Sequence, residues 1–202
     1  MRVLVIGGLG SIGSRYVAIL KYLGHEPIIQ DIKIHHSVQD ITKREFDRAI
    51  IATPTDTHYD NCKVLIATGK PFLCEKPLSK NLKECEELTE LDRNKFGRVV
   101  INYAYITSKP IGYDYYKTGN DGLYWDCCQL IYLNPEIDLQ NSSPTWTLLN
   151  EHKEVVPYYE LERSYITMVK DWMADNCDFD LECGAEMTNA VLDRMERDKC
   201  AC

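Results

Sequence analysis

The stretch that decides the fold is Val3-Leu4-Val5-Ile6-Gly7-Gly8-Leu9-Gly10-Ser11-Ile12-Gly13, at the beginning of the 202-residue sequence. Residues 3–6 form an unbroken apolar run, which is typical of a parallel strand buried on both faces. Glycines follow at once, and apolar residues then recur at helical spacing until Gly24, where a helix C-cap belongs. The stretch therefore predicts a strand, a glycine-rich turn and a helix.

The turn carries the spacing of a dinucleotide-binding loop, and residues 8–13 are called the phosphate loop below. Gly8 is expected to permit the tight turn, Gly10 to let the backbone approach a pyrophosphate, and Gly13 to let helix and strand pack closely. Ser11 and Ile12 open the helix, whose N-terminal N–H groups favour phosphate. We therefore predict that all five residues bind a dinucleotide.

A second short strand, over residues 27–31, completes a βαβ unit and ends in Asp31. A carboxylate at this position accepts hydrogen bonds from the adenosine ribose hydroxyls and repels a 2′-phosphate. We therefore expect NAD(H) as the cofactor. NADP(H) is less favoured, although the nearby Lys33 leaves it open.

The first half of the chain continues to alternate strands with helices, which predicts a Rossmann-type, doubly wound parallel sheet of the α/β class. We predict strands over 49–52, 72–74 and 99–103, and helices over 58–68 and 82–91, with Gly97 ending the last helix. This dinucleotide-binding domain is expected to cover residues 1–106.

The second half changes character, because seven of the thirteen tyrosines fall between Tyr103 and Tyr132. We predict a reduced α+β substrate domain over 107–202. Its expected elements are a short helix over 125–132, strands over 145–149 and 154–156, and helices over 161–174 and 184–197. The tyrosines favour either strands or a pocket that stacks on a ring.

The amino-acid composition limits the kinds of binding partner that we expect. The net charge of −8 disfavours nucleic acid or an anionic membrane as a partner and leaves a small-molecule substrate. The first residues do not form a signal sequence and no apolar run reaches membrane-spanning length, so we expect a cytoplasmic protein. Nine cysteines without paired CxxC spacing predict reduced thiols and no metal site.

Three motifs in order resemble the Gfo/Idh/MocA oxidoreductases: Gly10-Ser11-Ile12-Gly13-Ser14-Arg15, Ala52-Thr53-Pro54-Thr55-Asp56-Thr57-His58 and Glu75-Lys76-Pro77-Leu78-Ser79. The resemblance covers residues 1 to about 105 and resumes weakly over the last fifty. Members of this family commonly exceed three hundred residues, so this chain resembles a shortened member. Residues 32–47 are too few for a full crossover helix and strand.

The resemblance implies that Lys76 is the catalytic lysine beside the nicotinamide, with a cis peptide before Pro77. A desolvated lysine is also chemically suited to take the proton of a hydroxyl as hydride leaves. By the same resemblance the cofactor is lined by Glu75 and Lys76, together with Thr53, Pro54 and His58.

The sequence departs from the family at the substrate-domain helix that carries an aspartate and, four residues later, a histidine. Asp126 matches the aspartate, but Leu130 occupies the histidine position. If one residue is deleted, Gln129 fills that position; it can hydrogen-bond a substrate oxygen but cannot exchange a proton. We therefore assign Lys76 as acid/base, Asp126 as the group that orients it, and Gln129 as a substrate contact.

These residues predict an NAD(H)-dependent oxidoreductase that transfers hydride between nicotinamide and a hydroxyl or ketone of a sugar, nucleotide sugar or polyol. One alternative is a non-catalytic NAD(H)-binding sensor or regulatory subunit, because the histidine is missing. Another is a reductase of a larger planar substrate such as biliverdin. A homo-oligomer is compatible with the family resemblance.

Overall fold

The computed structural model describes residues 1–34, 41, 44–100, 115–119, 122–126 and 158–200. The chain divides into two compact units. The first contains Met1–Val100 and Val169–Asn189, and the second contains Ile101–Met168 and Ala190–Cys202. The predicted domain boundary, near residue 106, lies outside the described residues and stays a prediction.

The first unit is built on a parallel sheet, to which the described residues contribute five strands in the order β2-β1-β3-β4-β5. The strands are β1 (Arg2–Ile6), β2 (Glu26–Gln30), β3 (Arg48–Ile51), β4 (Phe72–Cys74) and β5 (Gly97–Val99). In β1, Val3, Leu4 and Val5 are fully buried, as their unbroken apolar run predicts. The predicted Rossmann-type α/β fold is confirmed.

Three helices connect these strands: α1 (Ser11–Tyr22), α2 (His58–Thr68) and α3 (Leu82–Leu91). The predicted helices over about 58–68 and 82–91 correspond to α2 and α3. At the start of α3, the Asn81 side chain accepts a hydrogen bond from the Glu84 N–H at 2.9 Å, and Ser79 donates to the Glu84 carboxylate. The Asn81 contact satisfies a first-turn N–H group and fixes where the helix begins, and the Ser79 contact holds the Glu84 side chain.

The prediction that Gly97 ends α3 is wrong, because Gly97 begins β5. The helix already ends at Leu91, and the Asp92 carboxylate accepts hydrogen bonds from the N–H groups of Phe96 and Gly97 at 2.9 and 2.8 Å. This buried carboxylate organises the turn, so the glycine is free to enter the sheet. The remainder of the predicted strand 99–103, beyond Val100, lies outside the described residues.

Residues 31–47 connect β2 to β3. The described part of this connection contains a turn at residues 32–34 and two buried apolar side chains, Ile41 and Phe46. Residue 41 belongs to a 3-10 turn, and no strand of the sheet occurs within the described part of this connection. Strand β2 stands at one end of the sheet order.

Residues 169–189 complete the other end of the first unit. They join α4 (Tyr158–Met173) to α5 (Leu181–Cys200), whose bounds are close to the predicted 161–174 and 184–197. The Val99 N–H donates to the Phe179 carbonyl at 2.8 Å, and the Arg98 Nε donates to the Cys177 carbonyl at 2.6 Å. The backbone of this segment therefore pairs with the edge strand β5.

The described part of the second unit includes an antiparallel hairpin of β6 (Tyr115–Gly119) and β7 (Gly122–Asp126). The prediction of a short helix over 125–132 is wrong at its start, because Trp125 and Asp126 belong to β7. Aromatic residues favour strands, and the glycines that flank residues 120–121 favour a tight connection. The predicted strands over 145–149 and 154–156 lie outside the described residues.

Three buried thiols belong to neighbouring elements of the first unit: Cys62 on α2, Cys74 on β4 and Cys85 on α3. Burial raises the pKa of the Cys85 thiol to about 11, and burial also raises that of Cys74 well above its usual value. Because the thiolate is the reactive form, only about one Cys85 in a thousand is reactive at pH 8.

We predict that iodoacetamide at pH 8 leaves Cys74 and Cys85 unmodified in the folded protein and alkylates both in urea. Peptide mass spectrometry measures the modification at each site. The partly exposed Cys183 serves as an internal comparison and reacts before the buried thiols in the folded state. Equal rates for Cys85 in the folded and unfolded states would contradict the prediction.

Candidate functional site

The strand order reverses between β1 and β3, because β2 lies on one side of this pair and β4 on the other. The loops that follow β1 and β3 therefore run in opposite directions at the carboxyl edge of the sheet. A crevice at such a switch point is the usual ligand site of an open α/β sheet. In this protein it is bordered by the phosphate loop and by residues 53–57, called the threonine loop below.

Gly7, and not Gly8, adopts the left-handed backbone conformation of the turn, with φ of +82°. A Cβ atom at Gly7 would lie 2.6 Å from the Ala52 carbonyl oxygen, which is closer than such atoms approach. The prediction that Gly8 makes the tight turn is therefore wrong by one residue. Two adjacent glycines, Gly7 and Gly8, stand at this turn in the sequence, and the motif spacing indicates only Gly8 as the turn residue.

Gly13 provides the close approach that the spacing predicts. A Cβ atom there would lie 2.0 Å from the Gly7 carbonyl oxygen. The helix begins at Ser11 with Gly10 as its N-cap, and in the described structure no side chain caps it and no acidic residue stands in its first turn. The first N–H groups of α1 are therefore available to an anion, which fits the phosphates of a dinucleotide.

Asp31 fixes the other end of the crevice. Its side chain is buried, one oxygen accepts a hydrogen bond from the Leu9 N–H at 3.0 Å, and the other accepts from the Lys33 N–H at 3.1 Å. The carboxylate thus lies beside the phosphate loop. Because two carboxylate oxygens offer about four acceptor positions, capacity remains for ribose hydroxyls.

His58 lies beneath the threonine loop and is almost completely buried. Its Nε2 lies 2.8 Å from the Thr53 carbonyl oxygen, and its Nδ1 lies 2.8 Å from the Pro77 carbonyl oxygen. Carbonyl oxygens only accept, so the neutral ring satisfies one of these contacts and the imidazolium satisfies both. The predicted cofactor-lining residue therefore connects two loops.

The threonine loop is also held by its own hydroxyls. Thr57 Oγ1 donates to Thr53 Oγ1 or the Pro54 carbonyl, each at 2.8 Å, and Asn61 Nδ2 reaches Thr53 Oγ1 at 3.3 Å. Asn61 is a buried residue of α2 that the sequence analysis does not identify. Its spacing, three residues after His58, places both on one face of the helix.

The Glu75-Lys76-Pro77 segment, called the lysine turn below, follows the carboxyl end of β4. The Lys76-Pro77 peptide is cis, as the family resemblance predicts. Glu75 is buried and its N–H donates to the Ile51 carbonyl at 2.9 Å, whereas Lys76 is partly exposed. The turn is thus anchored to β3, the strand that precedes the threonine loop.

Tyr16 is a further residue that sequence reasoning assigns only to the core. It is fully buried on α1, and its hydroxyl donates to Glu75 Oε1 at 2.6 Å. Its position at helical spacing after Ile12 indicates a buried face but not the hydroxyl contact.

The structure brings most predicted site residues to the carboxyl edge of one sheet, and their roles stay predictions; the side chains of two others lie beyond what it describes. Asp126 ends β7 in the second unit, and its side chain lies outside the described residues, as does all of Gln129. Their assigned roles therefore remain predictions. None of the described helices is long and apolar enough to cross a membrane.

A cavity of about 240 Å³ lies elsewhere, at the amino ends of β3 and β4. Its buried cation, Arg48, donates two hydrogen bonds to the Asp175 carboxylate at 2.7 and 2.8 Å and stacks over Trp172. These contacts of Arg48 bind residues 169–189 to β3 of the sheet. The cavity is separate from the crevice at the carboxyl edge.

A known family matches a large part of the first unit. Residues 24–103 match the family model described as the oxidoreductase family with an NAD-binding Rossmann fold, GFO_IDH_MocA. The match begins after the phosphate loop and contains both the threonine loop and the lysine turn. The resemblance to Gfo/Idh/MocA oxidoreductases is therefore confirmed for this part of the chain.

Curated relatives match over short segments. An uncharacterized oxidoreductase, YfiI of Bacillus subtilis, is 38% identical over 55 residues, which are 27% of this chain and 14% of that protein. The matched segments span 14% to 19% of the lengths of such relatives.

Solved structures share the fold. A Gfo/Idh/MocA family oxidoreductase from Vibrio cholerae has a TM-score of 0.63 at 12% identity, and the alignment covers 100% of both chains. The WlbA (WbpB) dehydrogenase from Thermus thermophilus, solved with NAD and UDP-GlcNAcA, has a TM-score of 0.59 at 16% identity, covering 96% of this chain and 94% of that one.

We predict that His58 makes the protein less stable as the pH falls from about 7 to 5. Burial lowers the pKa of His58 from its model-peptide value of 6.5, although its two carbonyl neighbours act in the opposite direction. Below pH 6.5 the unfolded chain therefore takes up a proton that the folded protein resists, and stability is lost as the pH falls.

Urea unfolding at several pH values measures this effect. His58→Gln is expected to be less stable than the wild type at pH 7 but to lose less stability between pH 7 and 5, because glutamine does not titrate in this range. An identical pH dependence in the two proteins would show that His58 does not contribute to it.

Proposed function

We propose that this chain is an NAD(H)-dependent oxidoreductase that transfers hydride between nicotinamide and a hydroxyl or ketone of a small substrate. The observation that carries the proposal is the position of Lys76. It follows the carboxyl end of β4, in a turn anchored to β3, at the same sheet edge as the phosphate loop. A binding site and a proton carrier thus border one edge of the sheet.

The residues that would hold the cofactor fit its parts. The first N–H groups of α1, at Ser11 and Ile12, suit the pyrophosphate, and Gly10, the N-cap of this helix, lets the backbone approach it. Asp31 suits the adenosine ribose and disfavours a 2′-phosphate, which supports NAD(H) over NADP(H). Thr53 and Pro54, held in place by His58, suit the nicotinamide half.

When bound, the nicotinamide supplies the acceptor or donor of hydride. Lys76 moves the accompanying proton. In the oxidation direction its neutral amine takes the proton from the substrate hydroxyl, and in the reduction direction its ammonium returns that proton to the carbonyl oxygen. Asp126 is proposed to orient Lys76, and Gln129 to hydrogen-bond a substrate oxygen.

The proposed substrate class is a sugar, nucleotide sugar or polyol. The Thermus thermophilus dehydrogenase of similar fold was solved with the nucleotide sugar UDP-GlcNAcA, which supports this class without identifying a member. The net charge of −8 is compatible with a small soluble substrate and disfavours nucleic acid or an anionic membrane as the partner.

A second candidate function is NAD(H) binding without turnover, as in a sensor or regulatory subunit. The observation that favours it is the strand position of Asp126, because the matching aspartate of the family is expected on a helix. The two candidate functions share a cofactor site and differ in whether Lys76 transfers a proton to or from a substrate.

We predict that Lys76→Ala abolishes turnover and leaves NADH affinity within about threefold, because the lysine moves a proton and the phosphate loop supplies most of the binding. NADH fluorescence titration measures binding. Turnover is followed at 340 nm with a panel of sugars, nucleotide sugars and polyols.

Lys83→Ala, a substitution on helix α3, serves as the matched control and retains both properties. Turnover that is undiminished in Lys76→Ala would contradict the assignment of the lysine. Tight NADH binding by the wild type with no turnover on any substrate would favour the second candidate function.

We further predict that Asp31→Asn weakens discrimination against NADPH. The amide keeps an oxygen for the Leu9 N–H but removes the charge that repels a 2′-phosphate, so the ratio of the NADPH and NADH dissociation constants falls by about tenfold. Fluorescence titration with both cofactors measures the ratio, and Asp60→Asn on α2 is the control. An unchanged ratio would remove Asp31 from cofactor selection.

A further inference from the structure

The contact between Tyr16 and Glu75 connects the helix of the phosphate loop to the lysine turn. Tyr16 lies three residues after Gly13, in the first turns of α1, and is fully buried. Its hydroxyl donates to Glu75 Oε1 at 2.6 Å, the short distance of a hydrogen bond to a carboxylate. The two residues are 59 positions apart in the sequence.

Glu75 is held at both oxygens. Oε1 accepts from Tyr16, and Oε2 accepts from the backbone N–H of Lys76 at 3.2 Å. The side chain is only 6% exposed. A buried carboxylate is costly unless it is hydrogen-bonded, so the Tyr16 hydroxyl is an important partner in keeping Glu75 in place.

Packing alone does not require this pair. A buried polar or charged pair contributes little net stability compared with apolar residues of similar volume, and a phenylalanine beside a leucine or methionine would fill such a space. What the polar pair adds is a fixed direction for a carboxylate that immediately precedes Lys76. The polar contact is therefore better explained by the lysine turn than by the core.

We propose that Tyr16 and Glu75 form a positioning pair, through which the helix that receives the cofactor phosphates sets the orientation of the lysine turn. The inference rests on the proposed function, because it assigns a purpose to holding Lys76. Tyr16 and Glu75 are positioning residues and not catalytic ones. A cofactor that orders the start of α1 then also orders Lys76, so that binding and proton transfer are coupled.

The first test measures the Lys76 amine directly, without substrate or cofactor. Lysines are labelled by ¹³C reductive methylation, and the Lys76 signal is identified by its absence in Lys76→Arg. Tyr16→Phe removes the hydrogen-bond donor to Oε1 of Glu75, so that the carboxylate shifts toward the ammonium and raises the Lys76 pKa by about 0.5 or more. Glu75→Gln removes the negative charge and lowers that pKa by a similar amount.

Opposite directions for the two variants are the expected result, because a simple loss of packing has no reason to shift the same amine in two directions. Tyr22→Phe removes a hydroxyl from an exposed tyrosine of the same helix and leaves the Lys76 pKa unchanged. Lys76 pKa values that equal the wild type in both Tyr16→Phe and Glu75→Gln would overturn the proposal.

The second test is a double-mutant cycle on NADH affinity, with unlabelled protein. Tyr16→Phe and Glu75→Met each remove this contact, so each single variant is expected to weaken NADH binding by about fivefold, and the double variant by no more than either single one. Effects that multiply to about 25-fold would overturn the pairing.

The outcomes separate this proposal from the proposed function. A wild-type protein that does not bind NADH would refute both. Wild-type binding and turnover with unchanged Lys76 pKa values in both variants would refute only the positioning pair. If Tyr16→Phe fails to fold by circular dichroism, Glu75→Gln decides alone, because glutamine still accepts from the Tyr16 hydroxyl: a lowered Lys76 pKa supports the proposal and an unchanged one overturns it.

Discussion

The approach of α1 to the end of β1 is the constraint on which the candidate site depends. The Gly7 carbonyl oxygen occupies the space that a Cβ atom at residue 13 would need, and the Ala52 carbonyl oxygen occupies the space beside Gly7. Two backbone segments and a helix thus meet without side chains between them. This contact places the helix N-terminus at the switch point of the sheet, which is the usual position of the phosphates in folds of this kind that bind a dinucleotide.

The loops around the crevice are joined to one another below its surface. His58 lies between the threonine loop and the lysine turn, and Asp31 joins β2 to the phosphate loop. Tyr16 joins α1 to Glu75. Each of these connections is a buried or largely buried polar contact, which is worth most where water is excluded and is costly if left incomplete. The site is therefore held by side chains behind the residues that would touch a ligand.

Sequence reasoning identified the sheet, because buried strands such as Val3–Ile6 and glycine spacing are local signals. It also identified the cis peptide at Pro77 through family resemblance. It placed the tight turn at Gly8, since motif spacing does not report which of two adjacent glycines takes a positive φ. It assigned Trp125 and Asp126 to a helix, because a short aromatic segment fits the periodicity of a helix as well as that of a strand. The hydrogen bond from the Tyr16 hydroxyl to Glu75 is not predicted by local patterns, because the two residues are distant in the sequence.

The first unit is discontinuous in sequence, and this affects how the protein is made. Strand β5 is paired by the backbone near Phe179, and Arg48 is paired by Asp175, so the unit needs residues made long after its five strands. During synthesis, residues 1–100 emerge first and carry an unpaired sheet edge until residues 169–189 follow. An exposed edge of this kind invites association with other chains. The first unit is therefore completed late, by a segment that is far from the phosphate loop in the sequence.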